Sequence, residues 1–365
     1  MDQLTTGGAA DGHDSGHDPG HGHGHGHGHG PGPMPTPAPL LQAQGPAAPG
    51  LRRRPRRLAV GDRVALVAPS GPVDPQRLAA GTALLRSWGL HVDPGAHLLD
   101  RHPVHGYLAG TDADRAADFQ RAWLDPRTSA VVCARGGYGV QRMVDLVDWD
   151  ALRAAPPKIL VGFSDITVLH ETVDLRLGVP TLYGPMGTAA AFLDDPATAD
   201  HLRRTLFEPT TTRVLTSATA EPLVPGRAAG TTAGGCASLL ATDRGSRTAR
   251  RSFAGTVLLL EDVNEQPYRL DRTLTQLLRS GALEGVAGIA LGSWEGCGPP
   301  ELVREVMLDR LAPLGVPVIW ELGFGHGPSS LTVPLGVPAV LDADSGTLTL
   351  DEPVFGDTAV EGAAA

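Results

Sequence analysis

Short apolar runs, nearly uninterrupted and rich in β-branched residues, recur along this chain, and a stretch with helical spacing follows most of them. Arg63 to Ala68, Ala130 to Ala134 and Lys158 to Phe163 are runs of this kind. Each ends in a turn: Pro69-Ser70-Gly71-Pro72, Arg135-Gly136-Gly137-Tyr138-Gly139, and the step into Ser164. A strand that is apolar on both faces has to be covered on both, which is the condition of a parallel sheet flanked by helices. Helical spacing follows in Asp112 to Trp123, through Ala116, Phe119 and Trp123, and again through Val140, Met143, Val144 and Val147. Ligands of such sheets bind beyond the carboxyl ends of the strands, where the turn residues of this chain are concentrated.

The expected fold class is α/β, with an N-terminal mostly parallel sheet flanked by helices and a smaller C-terminal domain, mixed α/β or β-rich. The second part opens at Gly234 to Leu240 and at Gly255 to Asp262. It continues with a helix through Leu270, Leu274, Leu277 and Leu278, and closes with short paired strands around 330–350. The expected organisation is a tail over 1–57, an α/β domain bearing Ser164 over 58–186, a linker over 187–225 and a C-terminal domain over 226–355. Beyond Phe355 the chain is expected to fray. A length of 365 residues fits this two-domain expectation.

The tail expectation rests on composition. Residues 21–30 alternate His and Gly, 31–49 are rich in Pro, and such sequence buries too little apolar surface to offset the entropy of ordering it. Seven of the 14 histidines fall between His13 and His29. His23, His25, His27 and His29 can chelate Ni²⁺, Zn²⁺ or Cu²⁺ adventitiously, the alternative being a biased tail with no dedicated role.

A formal charge of −10 argues against nucleic acid as a partner and against a polybasic membrane surface. No apolar run approaches a membrane span, and Met1-Asp2-Gln3-Leu4 lacks a signal-peptide pattern, so a cytoplasmic location is expected. Cys133, Cys236 and Cys297 are too few and too far apart for a disulfide framework or a C-x-x-C metal site.

The sharpest local signal is Val161-Gly162-Phe163-Ser164-Asp165-Ile166-Thr167. A serine between a buried strand and a helix sits where a turn can raise its hydroxyl above the sheet as a nucleophile, with the next N–H facing an oxyanion. The second glycine of the G-x-S-x-G pattern is replaced by Ile166, and Ser164 or Asp165 could equally cap the helix. The glycines after Arg135 permit close backbone approach and can supply further oxyanion donors, while Arg135 can steady that loop or bind a carboxylate. A phosphate loop is the competing reading, although neither of the usual glycine patterns is present and there is no suitable Lys.

A serine needs a base, and His326 is well presented in the flexible Gly323-Phe324-Gly325-His326-Gly327-Pro328 segment, whereas His170 points away from the start of its helix. Glu261 ends the apolar run Thr256 to Leu260 and suits the orienting acid, with Glu265 as its competitor. Asp262 should point to the other side of the strand.

Taken together, residues 60–350 resemble the LD-carboxypeptidase family of serine peptidases, which includes murein tetrapeptide carboxypeptidases and microcin C self-immunity hydrolases. The resemblance is carried by Val67 to Pro72, Tyr107 to Asp112 with Arg115, Arg135 to Gly139, Gly162 to Asp165, and Leu260 to Asp262 through Arg269. It implies a Ser-His-Glu triad of Ser164, His326 and Glu261, with oxyanion donors at the backbone of Asp165 and at Gly136-Gly137. It implies no cofactor, a homodimer, and release of a terminal D-Ala from a murein tetrapeptide. Cleavage of a peptidyl-aminoacyl nucleotide is the alternative, and a non-catalytic peptide- or metal-binding protein a further one. Cys236 stands where relatives often carry Asn, and Tyr183 where His is common.

Overall fold

The computed structural model describes residues 53–356. The histidines of the expected tail, and the expected fraying except at Gly356, lie outside the described residues. Residues 53–57 run against the folded body: the Arg53 N–H donates to the Gly178 carbonyl at 3.2 Å and the Arg57 N–H to that of Gly356 at 3.2 Å. Arg56 pairs through both guanidinium nitrogens with Asp62.

Five parallel strands form most of a first sheet: β1 (Arg63–Val67), β2 (His91–Pro94), β3 (Thr128–Cys133), β4 (Ile159–Gly162) and β5 (Thr181–Tyr183). Their order is β5-β4-β3-β1-β2, so the chain reverses direction across the sheet between β1 and β3. The helices between them start where the sequence marks them. Asp74 caps Pro75–Ser87 by accepting from the N–H groups of Gln76 and Arg77, and Thr111 with Asp114 forms a capping box on Asp112–Leu124.

The stretch 187–225, expected as a linker, holds the helix Pro196–Phe207 capped by Asp195 and two short strands, β6 (Val214–Leu215) and β7 (Glu221–Val224). Beyond it come β8 (Arg227–Cys236), β9 (Thr256–Val263), β10 (Gly288–Glu295), β11 (Val318–Trp320), β12 (Val333–Leu335), β13 (Pro338–Asp342) and β14 (Thr347–Leu350). The second sheet has eight strands in the order β6-β14-β13-β8-β9-β10-β11-β7, parallel from β8 to β11 and antiparallel at its edges. β12 leaves this sheet and pairs antiparallel with β5 of the first, Val333 opposite Tyr183.

Side-chain alternation sorts the second sheet into two cores. Val257, Leu259, Ala290 and Ile319 join the large core that also holds the first sheet. Leu258, Leu260, Ile289, Leu291 and Val318 join a second core with the helices Pro267–Arg279 and Pro300–Leu311. By the same alternation Glu261 shares the face of Leu259, toward the first sheet, and Asp262 takes the opposite one. Among the described residues no helix is long and apolar enough to cross a membrane.

Candidate active site

The carboxyl ends of β1, β3 and β4 bring three turns together beside the point of reversal. The Gly71 N–H donates to the Gly136 carbonyl at 3.0 Å, joining the first two. The third carries Ser164, whose φ of +63° is unusual for a non-glycine residue. Backbone strain of this kind is expected where a turn has to lift one side chain above the strand ends. The hydroxyl caps no helix. The hydrogen bonds of Ser164 run through its backbone: the N–H donates to Tyr183 Oη at 3.2 Å and the carbonyl accepts from Thr167 Oγ1 at 2.6 Å. Its Oγ has no hydrogen-bond partner among the described residues, and the residue is half-buried.

Gly136 lies directly against it. A Cβ at Gly136 would stand 3.1 Å from Ser164 Cβ and 3.2 Å from Ser164 Oγ, so the two turns approach more closely than an added methyl would fit without a shift. The backbone N–H groups of Gly136, Gly137 and Asp165 donate to no described residue. The side chain of Asp165, buried, accepts from Ser70 Oγ at 2.6 Å and from the Val140 N–H at 2.9 Å. Arg135 is exposed and donates to the Pro72 carbonyl at 2.6 Å, which ties its loop to the turn after β1.

The acid and the imidazole come from the second half of the chain. Glu261 is fully buried on β9, and its Oε2 lies 2.6 Å from His326 Nδ1. Glu265 instead faces Arg269 at 3.7 Å. Gly325 makes room for the pair: with φ +108°, a Cβ there would fall 2.5 Å from Glu261 Oε2. Burial opposes the imidazolium of His326, but the hydrogen bond and charge of Glu261, with the charge of Asp262, outweigh it and raise its pKa above the ordinary value. The His326 ring packs at a tilt against Phe163, the residue before Ser164, with centroids 4.7 Å apart.

Between the two halves stands Tyr183, which sequence reasoning noted only as a departure. Its Oη donates to Glu261 Oε1 at 2.5 Å and accepts from the Ser164 N–H. His170 is elsewhere engaged: buried, it contacts Thr181 Oγ1 at 2.8 Å and the Gly162 carbonyl at 2.9 Å, and burial pushes its pKa down to about 4. Asp262 accepts from the Ser238 N–H at 2.7 Å and lies 3.4 Å from Cys236 Sγ.

A cavity of about 850 Å³ adjoins the His326 loop, lined among others by Gly327, Ser293, His201, Trp320 and Glu321. Among the described residues His97, Asp100 and Asp114 gather metal-ligand atoms within 4.8 Å of one another. His97 Nδ1 already lies in hydrogen-bond contact with Asp100 at 2.8 Å, and that bond, with the charges of the neighbouring aspartates, raises the histidine's pKa above its ordinary value.

Comparison with known proteins shows the family. The family model described as LD-carboxypeptidase N-terminal domain matches residues 64–184, and that described as LD-carboxypeptidase C-terminal domain matches 229–341. A putative carboxypeptidase of Streptomyces coelicolor is 60% identical over 302 residues, covering 83% of this chain and 97% of its own. A probable murein peptide carboxypeptidase of Bacillus subtilis is 34% identical, covering 83% and 96%. Among solved structures, the microcin C7 self-immunity protein in complex with glutamyl sulfamoyl guanosine shares the fold with a TM-score of 0.73 at 22% identity, covering 83% of this chain and all of that one.

Proposed function

The chain belongs to the LD-carboxypeptidase family of serine hydrolases, and from that membership we propose that Ser164, His326 and Glu261 hydrolyse an amide or acyl bond in a small peptide or peptide–nucleotide substrate. The observation that carries the assignment is the 2.6 Å contact of His326 Nδ1 with the buried Glu261, on a ring that packs at a tilt against the neighbour of Ser164. Glu261 keeps the proton of the neutral imidazole on Nδ1 and leaves Nε2 as the base. Nε2 takes the Ser164 proton as Oγ bonds to the substrate carbonyl. The resulting oxyanion is met by N–H groups of Asp165 and the Gly136-Gly137 turn, which have no other described acceptor. When the C–N bond breaks, the imidazolium passes its proton to the departing amine. Water then attacks the acyl-serine with His326 again as base, restoring the hydroxyl.

Two finer readings divide on the substrate. Release of terminal D-Ala from a murein tetrapeptide is supported by the 34% identical Bacillus relative. Cleavage of a peptidyl-aminoacyl nucleotide is supported by the likeness to the immunity protein. Incubating the full chain with a murein tetrapeptide and with a glutamyl sulfamoyl nucleoside, and identifying products by mass spectrometry, separates them. Ser164→Ala should abolish whichever activity is found, by about 10⁴-fold or more, with an unchanged unfolding midpoint. Turnover by that variant at the wild-type rate would refute the assignment.

A further inference from the structure

We infer that Tyr183 is a positioning residue: its single phenolic proton fixes Glu261, and its oxygen fixes the backbone of Ser164, so that one hydroxyl aligns the two halves of the site. The inference rests on the roles proposed above for Ser164, His326 and Glu261.

The proton assignment is forced. A carboxylate can only accept and an N–H can only donate, so the phenol, lying 2.5 Å from Glu261 Oε1 and 3.2 Å from the Ser164 nitrogen, donates to the first and accepts from the second. Burial, with the charge of Glu261 added, pushes the Tyr183 pKa far above its ordinary value, so the donor persists at every pH at which the protein is used. The ring cannot swing away. It is fully buried, edge-on to Phe163 and Phe324 and tilted against His170, with centroids 6.2, 6.1 and 5.8 Å away.

Three consequences follow for the chemistry. Glu261 is fully buried and has two oxygens to satisfy; Tyr183 takes Oε1, which leaves Oε2 to the Nδ1–H of His326. The N–H of Ser164 is occupied by the phenol, so oxyanion donation falls to Asp165 and the glycine turn. Lastly, the phenol draws negative charge from the carboxylate and so moderates its hold on the imidazolium. The other titratable groups around this pair leave that role to Tyr183. Asp262 adds to the hold on the imidazolium rather than easing it, Cys236 is kept protonated by burial, and His170 is neutral.

The test is Tyr183→Phe in the full chain, which removes the oxygen and keeps the packed ring. Titration of ¹⁵N-labelled histidines by NMR, with His326 assigned from its absence in His326→Gln, should show its proton affinity rising about three- to tenfold. With a substrate cleaved by the wild type, kcat should fall about 10- to 100-fold while KM changes by less than about threefold, and the acid limb of the pH profile should move up with the imidazole. A merely structural tyrosine would move neither the titration nor the limb, and an unchanged His326 titration overturns the inference. If the variant fails to fold, replacement of tyrosine by 3-fluorotyrosine, a stronger donor of the same shape, should lower the proton affinity of His326; no change there overturns it equally. Because the titration needs no substrate, a wild-type protein inactive on every peptide would sink the proposed function while leaving this test intact.

Discussion

The Ser70 hydroxyl donates a 2.6 Å hydrogen bond to the carboxylate of Asp165, the residue next to Ser164. The same oxygen of Asp165 accepts from the Val140 N–H at 2.9 Å. Ser70 belongs to the turn after β1, Val140 begins the helix after the glycine turn of β3, and Asp165 follows β4. One buried carboxylate therefore holds together the three turns around the Ser164 hydroxyl. Asp165 serves as the knot of the site through its side chain, in addition to the backbone role expected of it.

Asp165→Asn should accordingly weaken more than one loop. The amide oxygen can accept both bonds, but its NH2 then falls at the place of Oδ1, which is buried and has no hydrogen-bond partner among the described residues, leaving buried donors unsatisfied. We expect a loss of about 1–3 kcal/mol in urea unfolding and a drop in kcat at least tenfold. A variant of wild-type stability and rate would show that the three turns hold together without it.

Gly136→Ala tests the closeness of the glycine turn. Its methyl would meet Ser164 Cβ at 3.1 Å and Met186 Cε at 3.1 Å, tighter than ordinary van der Waals contact. The turn must retreat by a few tenths of an ångström, and oxyanion donors misplaced by that much should lower kcat about 10- to 100-fold. Circular dichroism and the unfolding midpoint should change little.

For the rate, His326 has to be neutral to take a proton. Its pKa lies above the ordinary 6.5, through Glu261 overcoming burial. The acid limb of kcat/KM should therefore have its midpoint above 6.5. A midpoint below that value would mean that another group limits the reaction.

Stability should respond to acid in the opposite sense from this imidazole. Burial pushes His170 and His201 down to about 4 from an ordinary 6.5, with Arg204 adding to the effect at His201. Below 6.5 the unfolded chain takes up protons that the folded protein refuses, so stability is complete above 6.5 and is lost as pH falls toward 4. The loss should amount to roughly 2–3 kcal/mol per histidine. His326, raised, contributes stability that is present below 6.5 and fades as pH rises through its folded value. Urea unfolding between pH 7.5 and 4.5 should show the net decline, and His201→Asn should flatten it.

Arg250 is buried between Glu171 and Asp174, 2.6 Å from the first, on the helix Thr167–Leu177 that follows the Ser164 turn. Glu171 also accepts from the Gly234 N–H at 3.3 Å, joining that helix to β8. Arg250→Met removes the cation shared by two carboxylates with little access to water. A loss of about 3–5 kcal/mol is expected in chemical unfolding, and a loss under about 1 kcal/mol would show that the ion pairs act as surface bridges do.

Much of this site was legible because its parts sit at strand ends. Ser164 and Glu261 each close an apolar run, and the alternation of Leu259, Leu260, Glu261 and Asp262 already places the two acids on opposite faces. His326 was marked by the glycines that its loop needs. Tyr183 was marked only as standing where His is common, and nothing in the sequence tied it to the site, because its partners lie 19 and 78 positions away. The side chain of Asp165 was hidden for the same reason, with Ser70 at a separation of 95. The helix Pro196–Phe207 showed its start, Asp195-Pro196, but the short strands after it lack the apolar continuity that identifies a buried strand.

The passage of β12 into the first sheet bears on how the molecule can move. The segment carrying His326 leaves β11 in one sheet and enters β12 in the other, and only Gly336 and Val337 separate β12 from β13, back in the sheet it left. The N–H of Gly336 and the carbonyl of Val337 are both held by the backbone of Thr232. A clamshell swing between the halves would have to tear Val333–Leu335 from Thr181–Tyr183, for a two-residue tether has no slack to pay out. The lobes are therefore already set before anything binds, and turnover should be paced by bond-breaking or by escape of products rather than by their closing and reopening.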